Sequence, residues 1–301
     1  MSKHIAKELI DALYAGASVP PGCRVNHARG LLVEGYFRAT PAASKISTAS
    51  IFNGLDHALL VRFSSSGADP GLAQDHAQAE PRGLALKIGE QEPLVLVGHS
   101  IEGFPARDPE TFLAFLKALK NAGEQPEGMN THLKANPAAQ RFGAMRQGPR
   151  PSSFTALDYH MLHPYRLTSP DGASQIGRLI VTRHHSDCTQ TPDSGPDYLD
   201  ESLQRQMASQ PVEIALVFTP VPAEVQADDL TATWPDKNDS IVLGHLFLQR
   251  TASDQPSQRS LVFDPSILPS GMAFAGDPMI EARMQAYRIA AARRCGAPIK
   301  D

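Results

Sequence analysis

The chain is short of the features that mark several classes of protein. Its three cysteines, Cys23, Cys188 and Cys295, form no Cys-x-x-Cys pair and no disulfide framework. Reduced thiols in a cytoplasmic protein are the expectation. Basic residues are not in excess: 28 Lys and Arg stand against 32 Asp and Glu, a net charge of -4. That excludes an electrostatic footprint for nucleic acid. No apolar run approaches the roughly 20 residues needed to cross a bilayer. The opening "MSKHIAKELIDALYAG" also lacks the uninterrupted apolar core of a signal peptide. No glycine-rich βαβ fingerprint is present, so nicotinamide binding is not expected.

What is there is globular. Hydrophobic residues make up 42% of 301 and charged residues 20%, enough for a sizeable core. Residues 1–20 read as a helical segment, with Ile5, Leu9 and Leu13 spaced by four and Ser2 as cap. "LLVEGYFRAT", "DHALLVRFSSSG", "PRGLALKIG" and "PLVLVGHS" read as strands. "DPETFLAFLKALKNAG" changes period: Phe112, Phe115, Leu116 and Leu119 share a helical face, with Pro109 in the first turn and Gly123 as stop. Residues 124–153, rich in Pro, Gly and Asn, are expected to form a long crossing segment. Strands resume in "TALDYHMLHPYRLTS", "SQIGRLIVTRHH", "PVEIALVFTP", "SIVLGHLFLQR" and "RSLVFDP". A last helix over 278–295 opens at Asp277 and Pro278, ends in two arginines and is followed by Gly296. Many strands with helices inserted and appended imply the α+β class, an antiparallel sheet or barrel.

In that last helix Arg283 and Tyr287 are i, i+4 neighbours on one face. A guanidinium there favours the phenolate, and a phenolate suits ferric iron and is a recognised axial ligand of haem. The alternative is a packed Tyr287, with Arg283 paired to Glu281 or to solvent.

Several motifs in order resemble the haem catalase family over about residues 22–296. "RVNHARG" resembles its distal histidine motif, "LLVRFSSSG" and "EPRGLALKI" two strand motifs, and "LVGHSIEGFPARDPETF" the distal asparagine segment. "ATWP" and "LVFDPSILPSGM" resemble two further signatures, and "ARMQAYRIAAARR" the proximal motif. The resemblance implies a single domain over 1–301, a haem-filled β-barrel holding ferric b-type haem. It makes His27 the distal acid–base, Ser64 the residue that orients its imidazole, Tyr287 the iron ligand and Arg283 the tyrosinate partner. Arg24, Arg62 and Arg294 (or Arg293, one residue away) would meet the propionates, a task that suits the planar guanidinium fork. Phe112 would pack on the haem, Val25 would lie on its distal side, and Glu80 would stand on the access channel.

Three departures bear on the reaction. His99 and Ser100 stand where the family has tandem asparagines, with Ser100 expected in place of the distal one. Asn26 stands where a valine usually narrows the channel, and could lend its own amide. The helical region that follows the proximal helix in full-length catalases is not expected here, so the chain resembles the minimal, catalase-related peroxidases. His99 either lines the pocket or points into the barrel wall, and the wall is preferred. "TRHHSDC", with His184, His185, Asp187 and Cys188, fits no zinc signature and is not read as a metal site.

The resemblance thus implies a peroxidase that reduces hydrogen peroxide or organic hydroperoxides through an oxoferryl species, with weak catalase activity. Its partners would be peroxide and small organic electron donors, with self-association left open. An imidazole of ordinary pKa near 6.5 can take and return the proton that O–O cleavage moves. Two alternatives remain: an isomerase or lyase of fatty-acid hydroperoxides, and a non-enzymatic haem-binding module.

Overall fold

A computed structural model describes residues 2–183, 193–234, 239–253, 255 and 260–296. The "TRHHSDC" histidines, Asp187 and Cys188 lie outside the described residues.

Helix α1 (Ser2–Ala15) precedes the sheet. Strand β1 (Gly30–Ala39) and the short helix α2 (Ala43–Ile46) lead into β2 (Asp56–Ser65), β3 (Arg82–Ile88) and β4 (Leu94–His99). Three helices follow, α3 (Pro109–Asn121), α4 (Pro126–Ala135) and α5 (Pro137–Met145). Then come β5 (Tyr159–Thr168), β6 (Ser174–Arg183), α6 (Tyr198–Ser209), β7 (Val212–Pro220), β8 (Ile241–Thr251), β9 (Met272–Phe274) and α7 (Ile280–Cys295).

The sheet is antiparallel in the order β4-β3-β2-β1-β8-β7-β6-β5-β9. Two four-strand meanders meet along β1 and β8, and β4 meets β5 to close eight strands into a barrel. That closure is a single residue pair, His99 with His160. Gly98 permits it, because a Cβ there would lie 2.5 Å from the His160 carbonyl oxygen.

Strand alternation assigns the two faces. Phe37, Phe63, Leu84, Leu86, Leu96 and Leu179 belong to one buried cluster that draws on all eight barrel strands, so this set fills the interior. The expected haem-filled barrel is therefore corrected: apolar side chains pack the inside. Arg62, Ser64, Gly83, Ala85, Val97 and His99 have the opposite parity and face outward from β2, β3 and β4, where they line a cavity.

Other expectations differ in detail. Residues 124–153 carry α4 and α5 rather than a plain crossing segment. In α3 the buried face is Leu113, Phe115 and Leu116, while Leu119 is exposed. The last expected strand does not form over the described part of "RSLVFDP", and α6 is a helix outside the elements expected from the sequence. The final helix begins at Ile280, and Gly296 caps it with a φ of 63°.

Candidate active site

The outward face of β2–β4 is roofed by α7, α1 and α3, leaving a mainly apolar cavity of about 350 Å³. His27 enters from the strand side. Its Nδ1 lies 3.1 Å from Ser64 Oγ. Register explains the fit: Gly83 pairs with Ser64 on one side and His99 on the other, so the three share one row and one face. A Cβ on Gly83 would stand 2.7 Å from His27 Nδ1 and 2.6 Å from Ser64 Oγ, so the absent side chain is the space the imidazole uses. Burial, helped by the charges of Arg62, Arg24 and Arg82, pushes the His27 pKa down to about 3. The ring is thus neutral at pH 7, as a proton acceptor must be.

Helix α7 forms the facing element. Arg283, Ala286, Tyr287, Ala290 and Arg294 recur at helical spacing and line the cavity, with alanines giving close approach. The Arg283 guanidinium lies 5.5 Å from the Tyr287 ring centroid. Its Nη2 also donates to the Val97 carbonyl at 3.0 Å. Burial works against its charge, but Tyr287 and other neighbours outweigh this and raise its pKa. Arg283 therefore faces Tyr287 and not Glu281. Asp277 sets the start of the helix, accepting the Met279 N–H at 2.9 Å with Oδ1. Its Oδ2 lies 2.8 Å from Nδ1 of the buried His163, another cavity residue.

Arg24 and Arg294 donate to the same carbonyl, that of Leu261, at 2.9 and 3.1 Å. Arg62 joins them: burial and then the charges of Arg24 and Arg294 lower its pKa to about 9. Arg24 is lowered to about 10 by burial and by Arg294. Burial lowers the pKa of all three guanidiniums, and like charge adds to this at Arg24 and Arg62, so an anion between them would be stabilised. Arg294, and not Arg293, takes this place: Arg293 turns to α1, where it pairs with Asp11 and covers the Tyr14 ring.

Val25, Asn26 and Phe112 also line the cavity, Phe112 with its ring centroid 4.7 Å from that of Phe104. Ser100 does not. One step along the chain from His99, it turns back to β3, where its Oγ accepts the Arg82 N–H at 2.9 Å. His99 occupies the cavity wall instead of the barrel wall. The Ile101 N–H donates to its Nδ1 at 3.3 Å, which places the proton of the neutral ring on Nε2. That nitrogen is buried without a hydrogen-bond partner. Glu80 is off the cavity, holding Nε of the buried Arg82 at 2.9 Å. Sequence reasoning missed Gly83, Phe104, His160, His163 and the α1 side chains Leu9, Ile10 and Leu13, all of which line this space. Their signal is register and helix packing, which no local motif displays.

A group that is flat, apolar and doubly carboxylated at one edge matches these walls: apolar lining, a guanidinium cluster, a tyrosine beside an arginine, and an imidazole on another wall. Haem has that chemistry. Among the described residues no cluster of three His, Cys, Asp or Glu offers a rival metal site, and no helix is long and apolar enough to cross a membrane.

Comparison with known proteins agrees. The catalase-related peroxidase of Mycolicibacterium paratuberculosis is 26% identical over 96% of this chain and 94% of its own length. That of Synechococcus elongatus is 24% identical, covering 95% and 88%. The catalase of Ascaris suum is 26% identical over 88% of this chain but 53% of its own, so the chain spans about half of that longer relative. Among solved structures, a fungal catalase superposes with a TM-score of 0.78 at 22% identity over 93% of this chain, and catalase A from Saccharomyces cerevisiae with 0.76. The family model for catalase matches residues 18–301, and the chain belongs to the catalase family.

Proposed function

We propose that this chain is a haem-dependent peroxidase that reduces hydrogen peroxide or organic hydroperoxides with small organic electron donors and releases dioxygen only weakly. The observation that carries this is His27, held by Ser64 in the same cavity as the Arg283–Tyr287 pair. Tyr287 would hold ferric b-type haem by its iron, with Arg24, Arg62 and Arg294 on the propionates and Phe112 and Val25 on its faces. Bound haem supplies the redox chemistry.

The chain's own residues handle the proton. When Ser64 accepts from His27 Nδ1–H, the other ring nitrogen keeps its lone pair. It takes the proton from one peroxide oxygen and returns it to the departing one. Arg283 beside Tyr287 favours the phenolate. In sum, a hydroperoxide and two electrons and two protons from the donor give an alcohol, or water, and water. Ser100 turns away from the cavity, so it does not supply the distal donor that would hold a second peroxide for disproportionation. That favours an external donor over disproportionation.

Absorption spectra with and without one equivalent of peroxide test this. Tyr287→Phe is expected to lose haem or its high-spin ferric spectrum. His27→Ala is expected to keep haem and lose about 10²- to 10⁴-fold in peroxide cleavage. Absence of a Soret band in haem-replete protein, or vigorous dioxygen release without donor oxidation, would overturn the assignment. Product analysis with a fatty-acid hydroperoxide separates reduction from rearrangement.

A further inference from the structure

We propose that Asn26 is the positioning residue for His27, fixing the backbone turn that aims the imidazole, and is not itself a donor to peroxide; this builds on the peroxide-handling role given to His27 above. Among the described residues His27 is the sole non-glycine with positive φ, at 55°. A side-chain-bearing residue stays in the left-handed region only where its surroundings over-determine it. Here they do. Asn26 Oδ1 accepts the His27 N–H at 2.9 Å, the Gly67 N–H at 2.8 Å and Ser66 Oγ at 3.3 Å. Two of these donors are backbone amides, which can only donate, so the amide must present its oxygen to them.

One side-chain oxygen therefore ties together two left-handed turns, at His27 and at Gly67, whose φ is 100°. A second link runs beside it, from the Ala28 N–H to the Gly67 carbonyl at 3.0 Å. From the other side, Arg62 Nη2 donates to the carbonyls of His27 at 3.0 Å and Ala28 at 3.2 Å. Both peptide groups flanking the His27 Cα are thus held, the amide by Asn26 and the carbonyl by Arg62. Ser64 then holds the ring. Release of the Asn26 contact frees rotation about the His27 φ, which swings the ring off Ser64 and out of the notch at Gly83.

The test compares Asn26→Leu, similar in size without an acceptor, with Asn26→Asp, which keeps the accepting oxygen, in haem-loaded protein. Asn26→Leu is expected to keep haem and its ferric spectrum. It should speed amide hydrogen exchange at residues 27 and 67 by about tenfold or more and slow the peroxide reaction by roughly 10- to 100-fold, the scale of a small misplacement. Asn26→Asp should restore both to within about threefold of the parent. Parental exchange and rate in Asn26→Leu overturn the proposal, as does a slow reaction in Asn26→Leu that Asn26→Asp does not rescue. If Asn26→Leu does not fold, Asn26→Asp decides alone: protection and rate near the parent support the role, and loss of either overturns it. His27→Ala is the control for the underlying reading. Should it react as fast as the parent, the peroxide role of His27 fails, while exchange at residues 27 and 67 still decides what Asn26 holds.

Discussion

Gly83 decides more of this site than its lack of a side chain suggests. It sits between Ser64 and His99 in one cross-strand row, and the His27 imidazole occupies the place of its Cβ. Gly83→Ala is expected to break the 3.1 Å contact between His27 and Ser64. It should cost about 1–3 kcal/mol of overpacking in a urea titration, with haem retained. The peroxide reaction, followed by stopped flow, should fall by roughly 10- to 100-fold. Much at this scale could be read in the sequence. Arg62 and Ser64 are two apart on a strand, and Arg283 and Tyr287 four apart on a helix, so local periodicity alone puts each pair on one face. The distinction between His99 and Ser100 was not legible. A shift of one residue on a strand exchanges its faces, and motif alignment without the register of β3 and β4 does not choose between them.

Among the elements, α1 lies outside the part of the chain that the family model covers, yet it walls the cavity with Leu9, Ile10 and Leu13. It packs on α7 through Ala6, Ile10 and Ile289, and the Asp11–Arg293 pair fixes it there. Ile10→Ala is expected to lower stability by about 2 kcal/mol, the low end for a large-to-small core change because the cavity borders the site. It should also speed haem loss to an acceptor protein. The amphipathic spacing of α1 made it visible. By contrast, α4 fully buries no residue and packs only through the half-buried Met129 and Leu133, α5 buries Ala139, and Pro126 and Pro137 at their first turns resemble loop punctuation. Leu261–Phe263 look like a strand and are not one. Two arginines take the Leu261 carbonyl, while Phe263 packs with Leu32 and Val95 outside the barrel.

At the scale of the whole molecule, the fold places a packed barrel beside, and not around, its cavity, and the buried histidines make its stability depend on pH. Burial first, and then neighbouring charge, holds both His27 and His99 at about 3. The unfolded chain, with ordinary values near 6.5, binds more protons between those limits, so stability rises with pH there and is lost as pH falls from about 6.5 toward 3. The unfolding free energy from urea titration, and with it the midpoint, should drop between pH 7 and pH 5, by about 2 kcal/mol per histidine, and His99→Asn should remove its share. The rate of peroxide cleavage should stay level over the same range, since His27 remains neutral. A midpoint that rises on acidification would contradict this.

The closure of the barrel has one more consequence. The hoop is fastened by a single clasp, His99 against His160, and both halves of that clasp border the cavity. Whatever fills the cavity and braces those two residues also keeps the hoop shut. A group that binds the fastened form and not the open one stabilises it by RT times the logarithm of one plus the ratio of its free concentration to its dissociation constant, which keeps growing as that concentration rises above the constant. Filling the pocket and completing the fold are then two accounts of one equilibrium.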